Sequence, residues 1–197
     1  MLLKQRHSQQ NAIAQHRLLF FPIGQLFFAL RLDGVAKIIP LPPVFKSGDR
    51  TLGMTQWQDQ EIIVIDLHQQ IYQRPAVVTP QQKDFLIIVA IEAANHGLPS
   101  LEHQSSSRMF YGIPATQLPI LKAIPDVDLH TIPNDYRDRD PLGIAEAMVQ
   151  IQLDSMVQDR PKTPDRTNQT VPELKIAFLL DPTCLLELVK TTRQNSG

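Results

Sequence analysis

The stretch GMTQWQDQEIIVIDL, residues 53–67, carries the most information about the fold. Its first part, which begins at Gly53 and contains Trp57, predicts a turn and a short polar loop. Residues 61–65 are apolar after the first position, which predicts a strand that is covered on both faces. Asp66 comes next, and because aspartate is a favourable helix cap, a short helix should begin there.

Short apolar segments bounded by proline or glycine make up most of the remaining chain. The sequence holds 16 prolines and 8 glycines, which argues against long helices and favours many short strands. Asp181 and Pro182 follow the last apolar run, and this pair predicts a closing helix. The strand candidates are residues 18–23, 25–33, 35–39, 61–65, 85–91, 111–121, 142–153 and 175–180.

The two halves of the chain contain similar segments. Residues 52–56 resemble residues 142–146. Residues 65–67 resemble residues 180–182, and a short amphipathic segment follows in both places. Many short strands in two similar halves suit small closed barrels.

Polar segments set the expected domain limits. Residues 1–17 predict a flexible polar arm, and residues 18–192 a single domain with polar insertions near 93–108 and 158–172. Residues 193–197 are then a short tail.

Composition narrows the classes of function. Of 197 residues, 43% are hydrophobic and 20% are charged, with a formal net charge of -1, so the sequence predicts no nucleic-acid binding. Cys184 is the only cysteine, which removes intramolecular disulfides and cysteine-based zinc sites. The six histidines lack ligand spacing, and no phosphate-binding loop occurs, so no metal or cofactor is expected. The apolar stretch 18–32 is too short and interrupted to span a membrane as a helix, and a cytoplasmic protein is expected.

The stretch 53–67 resembles the CheW family, the adaptor proteins of bacterial chemotaxis-type signalling. There the same register runs Gly, two aliphatics, Asn-Leu-Arg-Gly, a polar residue, two aliphatics, Pro-Val, an aliphatic, then Asp-Leu. Gly53 and the pair Asp66-Leu67 match this register without a gap. Further segments resemble the family in the same order, namely residues 19–24, 27–30, 35–38, 42–48 and 111–114.

The resemblance implies an all-β fold of two intertwined five-stranded barrels with short helices, one of them at the C-terminus. It also implies a non-catalytic adaptor rather than an enzyme. Such an adaptor couples the tip of a methyl-accepting chemoreceptor to the regulatory domain of a CheA-type histidine kinase, within a two-component system that controls motility or a related output.

Five residues are the partner-binding candidates that follow from this resemblance: Lys37, Gly53, Trp57, Gln58 and Asp59. Lys37 stands where the family usually has Glu, Gln58 where it has Arg, and Asp59 where it has Gly. Gln lacks the bidentate donor fork of Arg, so the partner set should differ from the ordinary one. Trp57 is either an interface anchor or a half-buried residue that seals a barrel mouth, and Lys37 either contacts a partner or is a solvated strand residue.

Alternatives remain beside the adaptor. A diverged barrel protein that has lost receptor coupling would act as a competitor or as a scaffold in another complex. A small enzyme would use scattered Asp and His side chains. Asp66 and Asp181 are interpreted as helix caps rather than a catalytic carboxylate pair, and Cys184 as a buried structural cysteine rather than a thiol activated by a helix N-terminus.

Overall fold

The computed structural model describes residues 14–46, 51–74, 84–92, 108–137, 142–153 and 173–185. These residues form two sheets, two short helices and three 3₁₀ turns at Leu32–Gly34, Asp126–Asp128 and Pro182–Cys184. The helices are α1 (Leu67–Tyr72) and α2 (Asn134–Arg137). The strands of the described residues are β1 (Gln15–Ile23), β2 (Leu26–Arg31), β3 (Val35–Pro40), β4 (Leu52–Trp57), β5 (Gln60–Ile65), β6 (Phe85–Glu92), β7 (Arg108–Ala115), β8 (Ile120–Pro125), β9 (Leu129–His130), β10 (Ala145–Leu153) and β11 (Glu173–Leu180).

The first barrel is built from a six-stranded sheet with the order β8-β1-β2-β11-β10-β9. Strands β8 and β9 lie at the two ends of this order, yet only the 3₁₀ turn Asp126–Asp128 separates them along the chain. They are therefore two parts of one interrupted strand, and their continuity closes the sheet on itself.

The second barrel is built from a five-stranded sheet with the order β3-β6-β7-β5-β4. The segment that follows β3 returns to β4, where the backbone N–H of Phe45 donates to the carbonyl of Met54 and the N–H of Met54 to the carbonyl of Phe45, both at 2.8 Å. This bridge joins the two edges of the sheet.

The barrels exchange hairpins. The β1–β2 hairpin from the start of the chain lies in the first barrel, beside strands β8 to β11 from its end. The second barrel combines the β6–β7 hairpin with β3, β4 and β5, and each barrel contains one parallel contact, β2 with β11 and β5 with β7. The expectation of two intertwined small barrels is confirmed, with the fifth strand of the first barrel broken into β8 and β9.

Strands that are buried on both faces hold the barrels together. In β1, Leu18 and Phe20 point into the first barrel, whereas Leu19 and Phe21 point into a cluster shared between the barrels. This alternation explains why the sequence shows continuous apolar runs instead of an alternating pattern. Strand β5 behaves as predicted for residues 61–65, because its side chains fill both the second barrel and the shared cluster.

Three phenylalanines mark the centre of the shared cluster. The ring centroid of Phe28 lies 6.3 Å from that of Phe21 and 6.0 Å from that of Phe178, with tilted planes. These rings come from β2, β1 and β11, so the two ends of the chain meet there. Phe28 is fully buried, and aromatic burial of this kind contributes several kcal/mol to stability.

Several predicted boundaries were wrong. Strand β1 begins at Gln15, within the segment predicted to be a loose arm, because it pairs along its length with β8. The single strand predicted over residues 111–121 is instead the pair β7 and β8 with a turn between them. The strand predicted over residues 25–33 ends at Arg31, and a 3₁₀ turn follows it.

Other predictions fall partly or wholly outside the described residues. These are the arm before residue 14, most of the insertion at 93–108, the insertion at 158–172, the tail, and the closing helix after Leu185. The described start of that last segment is the 3₁₀ turn Pro182–Cys184, with Pro182 at its first positions as predicted.

Candidate functional site

The candidate site begins with the hairpin of β4 and β5. Residues 53–60 were predicted to be a turn and a polar loop, but Leu52–Trp57 is strand β4, paired with β5 from end to end. The loop shrinks to Gln58 and Asp59, whose φ angles are 49° and 61°. Positive φ at both central residues is the arrangement of a type I′ turn, which matches the twist of the flanking strands. The hairpin tip therefore adopts the backbone conformation of a type I′ turn, although neither Gln58 nor Asp59 is glycine.

Trp57 lies just before the tip and is half-buried. Its ring meets Phe110 of β7 edge to face, with centroids 5.4 Å apart. Both residues pack against the core of the second barrel. The indole thus covers the end of this barrel, while its remaining exposed surface leaves room for a partner contact.

Lys37 is exposed on β3 and pairs with Ile88, in the middle of β6. From Ile88 the strand pairing leads across β7 and β5 to Gly53 of β4, and not to the hairpin tip. A surface that Lys37 shares with Trp57, Gln58 and Asp59 therefore stays a prediction.

Gly53 is placed elsewhere, four residues along β4 from Trp57. It is buried, and a Cβ atom at this position would lie 2.5 Å from Cγ1 of Val44 and 3.3 Å from the carbonyl oxygen of Phe45. The returning segment thus crosses directly over this glycine. Its role in the structure is to allow barrel closure, and a direct partner contact through Gly53 stays a prediction.

The exposed charges of the second barrel are acidic on the β4–β5 hairpin and basic on β3, at Lys37. Asp59 and Glu61 are exposed, and among the described residues neither forms an ion pair with a cation. The same holds for Lys37 within those residues. Exposed charges without partners of their own are free to select a binding partner by complementarity.

Asp66 and Asp181 are caps, as predicted, and they close the ends of different barrels. Oδ1 of Asp66 accepts from the backbone N–H of Gln69 at 2.9 Å, and Oδ2 pairs with Nζ of Lys46 at 2.9 Å. Oδ1 of Asp181 accepts from the N–H and the hydroxyl of Thr183.

Burial would raise the pKa of the Asp181 carboxyl. The hydrogen bonds from the hydroxyl and backbone of Thr183 and from the thiol of Cys184 outweigh burial, and they hold that pKa below the ordinary value of 3.8. Cys184 is partly buried against the shared cluster, which agrees with a structural role.

Sequence reasoning missed a polar network that ties the first barrel together. Nε2 of His16 pairs with Asp126 at 2.8 Å, and the guanidinium of Arg31 contacts Nδ1 of His16 at 3.1 Å. Arg31 also donates from Nε and Nη2 to one carboxylate oxygen of Glu146, at 2.9 and 2.7 Å. These residues are scattered over the sequence, and only strand pairing brings them together.

Two features often tied to other functions were sought in the described part of the chain. No group of three His, Cys, Asp or Glu side chains there is placed to hold a metal ion. None of the helices in those ranges has the length and apolar character needed to cross a membrane.

Comparison with known proteins agrees with the fold. The model of the CheW-like domain family matches residues 17–133. The structure is similar to that of the scaffolding protein TtCheW from Thermoanaerobacter tengcongensis, with a TM-score of 0.58 and 13% identity. The similarity covers 91% of this chain and 93% of that protein. A sequence search of curated proteins finds no match.

The family match spans more than half of the chain and includes the hairpin, the capped helix α1 and β7. The family is one of non-catalytic scaffold domains with a general adaptor role in chemotaxis-type signalling. The chain belongs to the CheW-like domain family.

Proposed function

We propose that this chain is a cytoplasmic adaptor that couples the tip of a methyl-accepting chemoreceptor to the regulatory domain of a CheA-type histidine kinase. The observation that supports the proposal is the exposed hairpin tip of the second barrel in a chain with the CheW-like fold. Trp57, Gln58 and Asp59 lie together at this tip, and Lys37 is exposed on β3 of the same barrel.

This end of the barrel has the properties of a recognition surface. The ring of Trp57 is rigid because Phe110 packs against it, and rigid aromatic groups lose little conformational entropy on binding. The charged groups around it are exposed, so that charges on a partner can pair with them.

The charges at the site favour a partner set that differs from the ordinary one. Lys37 carries the charge opposite to that of the usual Glu of the family, and Asp59 places an acid beside the position of the usual Arg. Reversed charges are selective mainly because they repel the wrong partner. We therefore propose a diverged kinase and receptor pair, with output to motility or a related two-component response.

A binding experiment tests the adaptor role. The purified chain is titrated calorimetrically with the regulatory domain of the histidine kinase encoded nearest to its gene, and separately with the tip fragment of the neighbouring receptor. Both should bind with dissociation constants of about 1–50 µM, which corresponds to roughly -6 to -8 kcal/mol. If neither partner gives a heat of binding at a concentration of several hundred micromolar, the proposal is wrong.

The second candidate is a competitor or scaffold that has lost receptor coupling, and Lys37, Gln58 and Asp59 motivate it. The triple variant Lys37→Glu, Gln58→Arg, Asp59→Gly would then gain binding to an ordinary kinase and receptor pair. The unchanged chain serves as the control. If the unchanged chain already binds both neighbouring partners, this second candidate is wrong.

A further inference from the structure

Four side chains form a row across the seam at which the first barrel closes. Asp126 belongs to the 3₁₀ turn between β8 and β9, and Glu146 lies on β10, the strand with which β9 pairs. Nε2 of His16 contacts Oδ1 of Asp126 at 2.8 Å, and Nη1 of Arg31 contacts Nδ1 of His16 at 3.1 Å. Arg31 also donates from Nε and Nη2 to Oε1 of Glu146. In this row, here called the seam network, the contact between His16 and Arg31 is the middle link.

The two partners of His16 fix the position of its proton. The guanidinium of Arg31 can only donate hydrogen bonds, so Nδ1 of His16 accepts there and carries no proton. The carboxylate of Asp126 accepts, so the single proton of the imidazole lies on Nε2. The seam network as a whole therefore requires a neutral imidazole.

A second proton on the imidazole breaks one of these two contacts and keeps the other. A protonated Nδ1 directs its N–H at Nη1 of Arg31, so that two donors and two positive charges face each other. Nε2 still donates to Asp126, and this contact becomes an ion pair. Arg31 keeps its two hydrogen bonds to Glu146. Protonation therefore divides the seam network into two separate ion pairs, one on each side of the seam.

Water reaches the imidazole from a surface cavity beside β1 and β2. The cavity has a volume of about 430 Å³ and is lined by Gln15, His16, Arg17, Arg31, Leu32 and Asp33. The side chain of His16 is 29% exposed. Of the charged groups in this lining, Arg17 and Asp33 lie outside the seam network and carry opposite charges. The proton of His16 can therefore exchange with solvent while the barrel stays folded.

The elements on the other side of His16 also carry charged groups. Asp128 lies in the same 3₁₀ turn as the carboxylate that His16 contacts, and His130 follows on β9. Lys122 of β8 is engaged elsewhere, because its Nζ donates to the backbone carbonyl of Gln152. Among the described residues, the two hydrogen bonds of the imidazole are thus those of the seam network.

We propose that the seam network is a proton-sensitive clasp, in which protonation of His16 releases Arg31 and loosens the closure of the first barrel. Histidine is the side chain that ordinarily changes its charge between about pH 5 and pH 8, so the clasp responds within the physiological range. The inference concerns the conformation of the first barrel and does not depend on which partners the second barrel binds.

His68 on α1 provides a contrast within the same chain. Its Nδ1 lies 3.1 Å from the backbone carbonyl oxygen of Arg74. A carbonyl oxygen only accepts, so Nδ1 of His68 carries the proton, and a second proton on Nε2 leaves this bond intact. The neutral forms of His16 and His68 should therefore be opposite tautomers, and of these two only His16 should lose a contact on protonation.

Nuclear magnetic resonance of the ¹⁵N-labelled full chain tests the tautomer. Long-range proton–nitrogen correlations distinguish protonated from unprotonated imidazole nitrogens, and the variants His16→Gln and His68→Gln identify the signals of each residue. At about pH 8 we expect an unprotonated Nδ1 in His16 and a protonated Nδ1 in His68. A proton on Nδ1 of His16 at that pH, with or without one on Nε2, would overturn the proposal.

A double-mutant cycle measures the middle link. The unchanged chain, His16→Gln, Arg31→Met and the double variant are unfolded with urea at about pH 8 and about pH 5. The coupling should change the unfolding equilibrium constant roughly threefold to tenfold at the higher pH, because the neutral imidazole accepts from the guanidinium. At the lower pH it should vanish or reverse in sign, because the imidazolium repels the guanidinium.

The matched control is a second cycle of Arg31→Met with His130→Gln, a histidine at the same seam but outside the seam network. This cycle should show no coupling at either pH. Equal coupling of His16 and Arg31 at the two pH values, or no coupling at the higher pH, would contradict the clasp. Circular dichroism should show that each variant is folded, and the tautomer of His16 does not depend on the stability of Arg31→Met.

Discussion

The two barrels share one topology but are closed by different chemistry. The first barrel is closed by the continuity of β8 and β9 and reinforced by the side-chain network of His16, Arg31, Asp126 and Glu146. The second barrel is closed by a backbone bridge that passes directly over Gly53. The contrast teaches that the fold depends on the shared cluster and on the order of the strands. The way in which a barrel is closed, and the residues on its outer surface, can differ between the two barrels.

The largest expected effect comes from the cluster that both barrels share. Phe28→Ala removes the central ring of the phenylalanine trio and should lower the free energy of unfolding by about 4 kcal/mol. Trp57, the only tryptophan, lies in the second barrel, whereas Phe28 lies in the first. Urea denaturation followed by tryptophan fluorescence and by far-ultraviolet circular dichroism should show the same shift in midpoint.

The control for this measurement is Leu118→Ala, a change at an exposed position that should leave both midpoints in place. Loss of circular dichroism at low urea with an unshifted fluorescence transition would mean that the barrels unfold independently. The shared cluster would then not be what joins them.

A smaller effect is expected at the closure of the second barrel. Gly53→Val places methyl groups where Val44 and the backbone of Phe45 already lie, and it should cost about 3 kcal/mol of stability. Gly34→Ala is the matched control, because its added Cβ meets only Cγ of Pro182 at an ordinary 3.5 Å. Equal thermal melting temperatures for the two variants would contradict the close crossing at Gly53.

The network of the first barrel should contribute less. Arg31 and Glu146 are both about one-third exposed, so Glu146→Gln should lower the stability by roughly 0.5–1 kcal/mol, and added salt should shrink the difference. A double-mutant cycle with Arg31→Met measures the coupling between the two side chains. A coupling energy indistinguishable from zero at low salt would show that this network does not stabilise the closed first barrel.

The smallest effect concerns Asp181, whose carboxyl has a lower pKa in the folded chain than its ordinary value of 3.8. A carboxyl with a depressed pKa stabilises the fold fully above its unfolded value, and this contribution disappears as the pH falls through the folded value. The stability lost in Asp181→Ala should therefore be constant near neutral pH and should shrink below about pH 4, since the unfolded carboxyl begins to bind protons there. Melting curves over this range check it, and a difference that grows on acidification would contradict the capping arrangement.

Sequence reasoning was most successful where local patterns decide the structure. The strand at residues 61–65 and the caps at Asp66 and Asp181 follow from local residue types and their spacing. The fold of two intertwined barrels followed from the resemblance of residues 53–67 to the CheW family. Sequence reasoning failed where long-range pairing decides. Leu52–Trp57 has few strongly apolar residues and became a strand because β5 and the segment at Phe45 pair with it on both sides.

The candidate site was predictable only in part. Lys37 and the hairpin tip were identified from their departures from the family pattern, but their position relative to each other depends on the register of five strands. The exposure of Phe45 was not predictable, because an apolar residue between two polar segments gives no sign of which way its side chain will point.

The most direct test of the account is a map of partner contacts on the second barrel. The ¹⁵N-labelled chain is titrated with the unlabelled regulatory domain of the histidine kinase encoded nearest to its gene, and the amide shifts are followed residue by residue. The account predicts that the largest changes fall at Lys37 and over residues 57–61, with little change on β10 and β11. Changes confined to the first barrel, or a spectrum unaltered at several hundred micromolar partner, would contradict it.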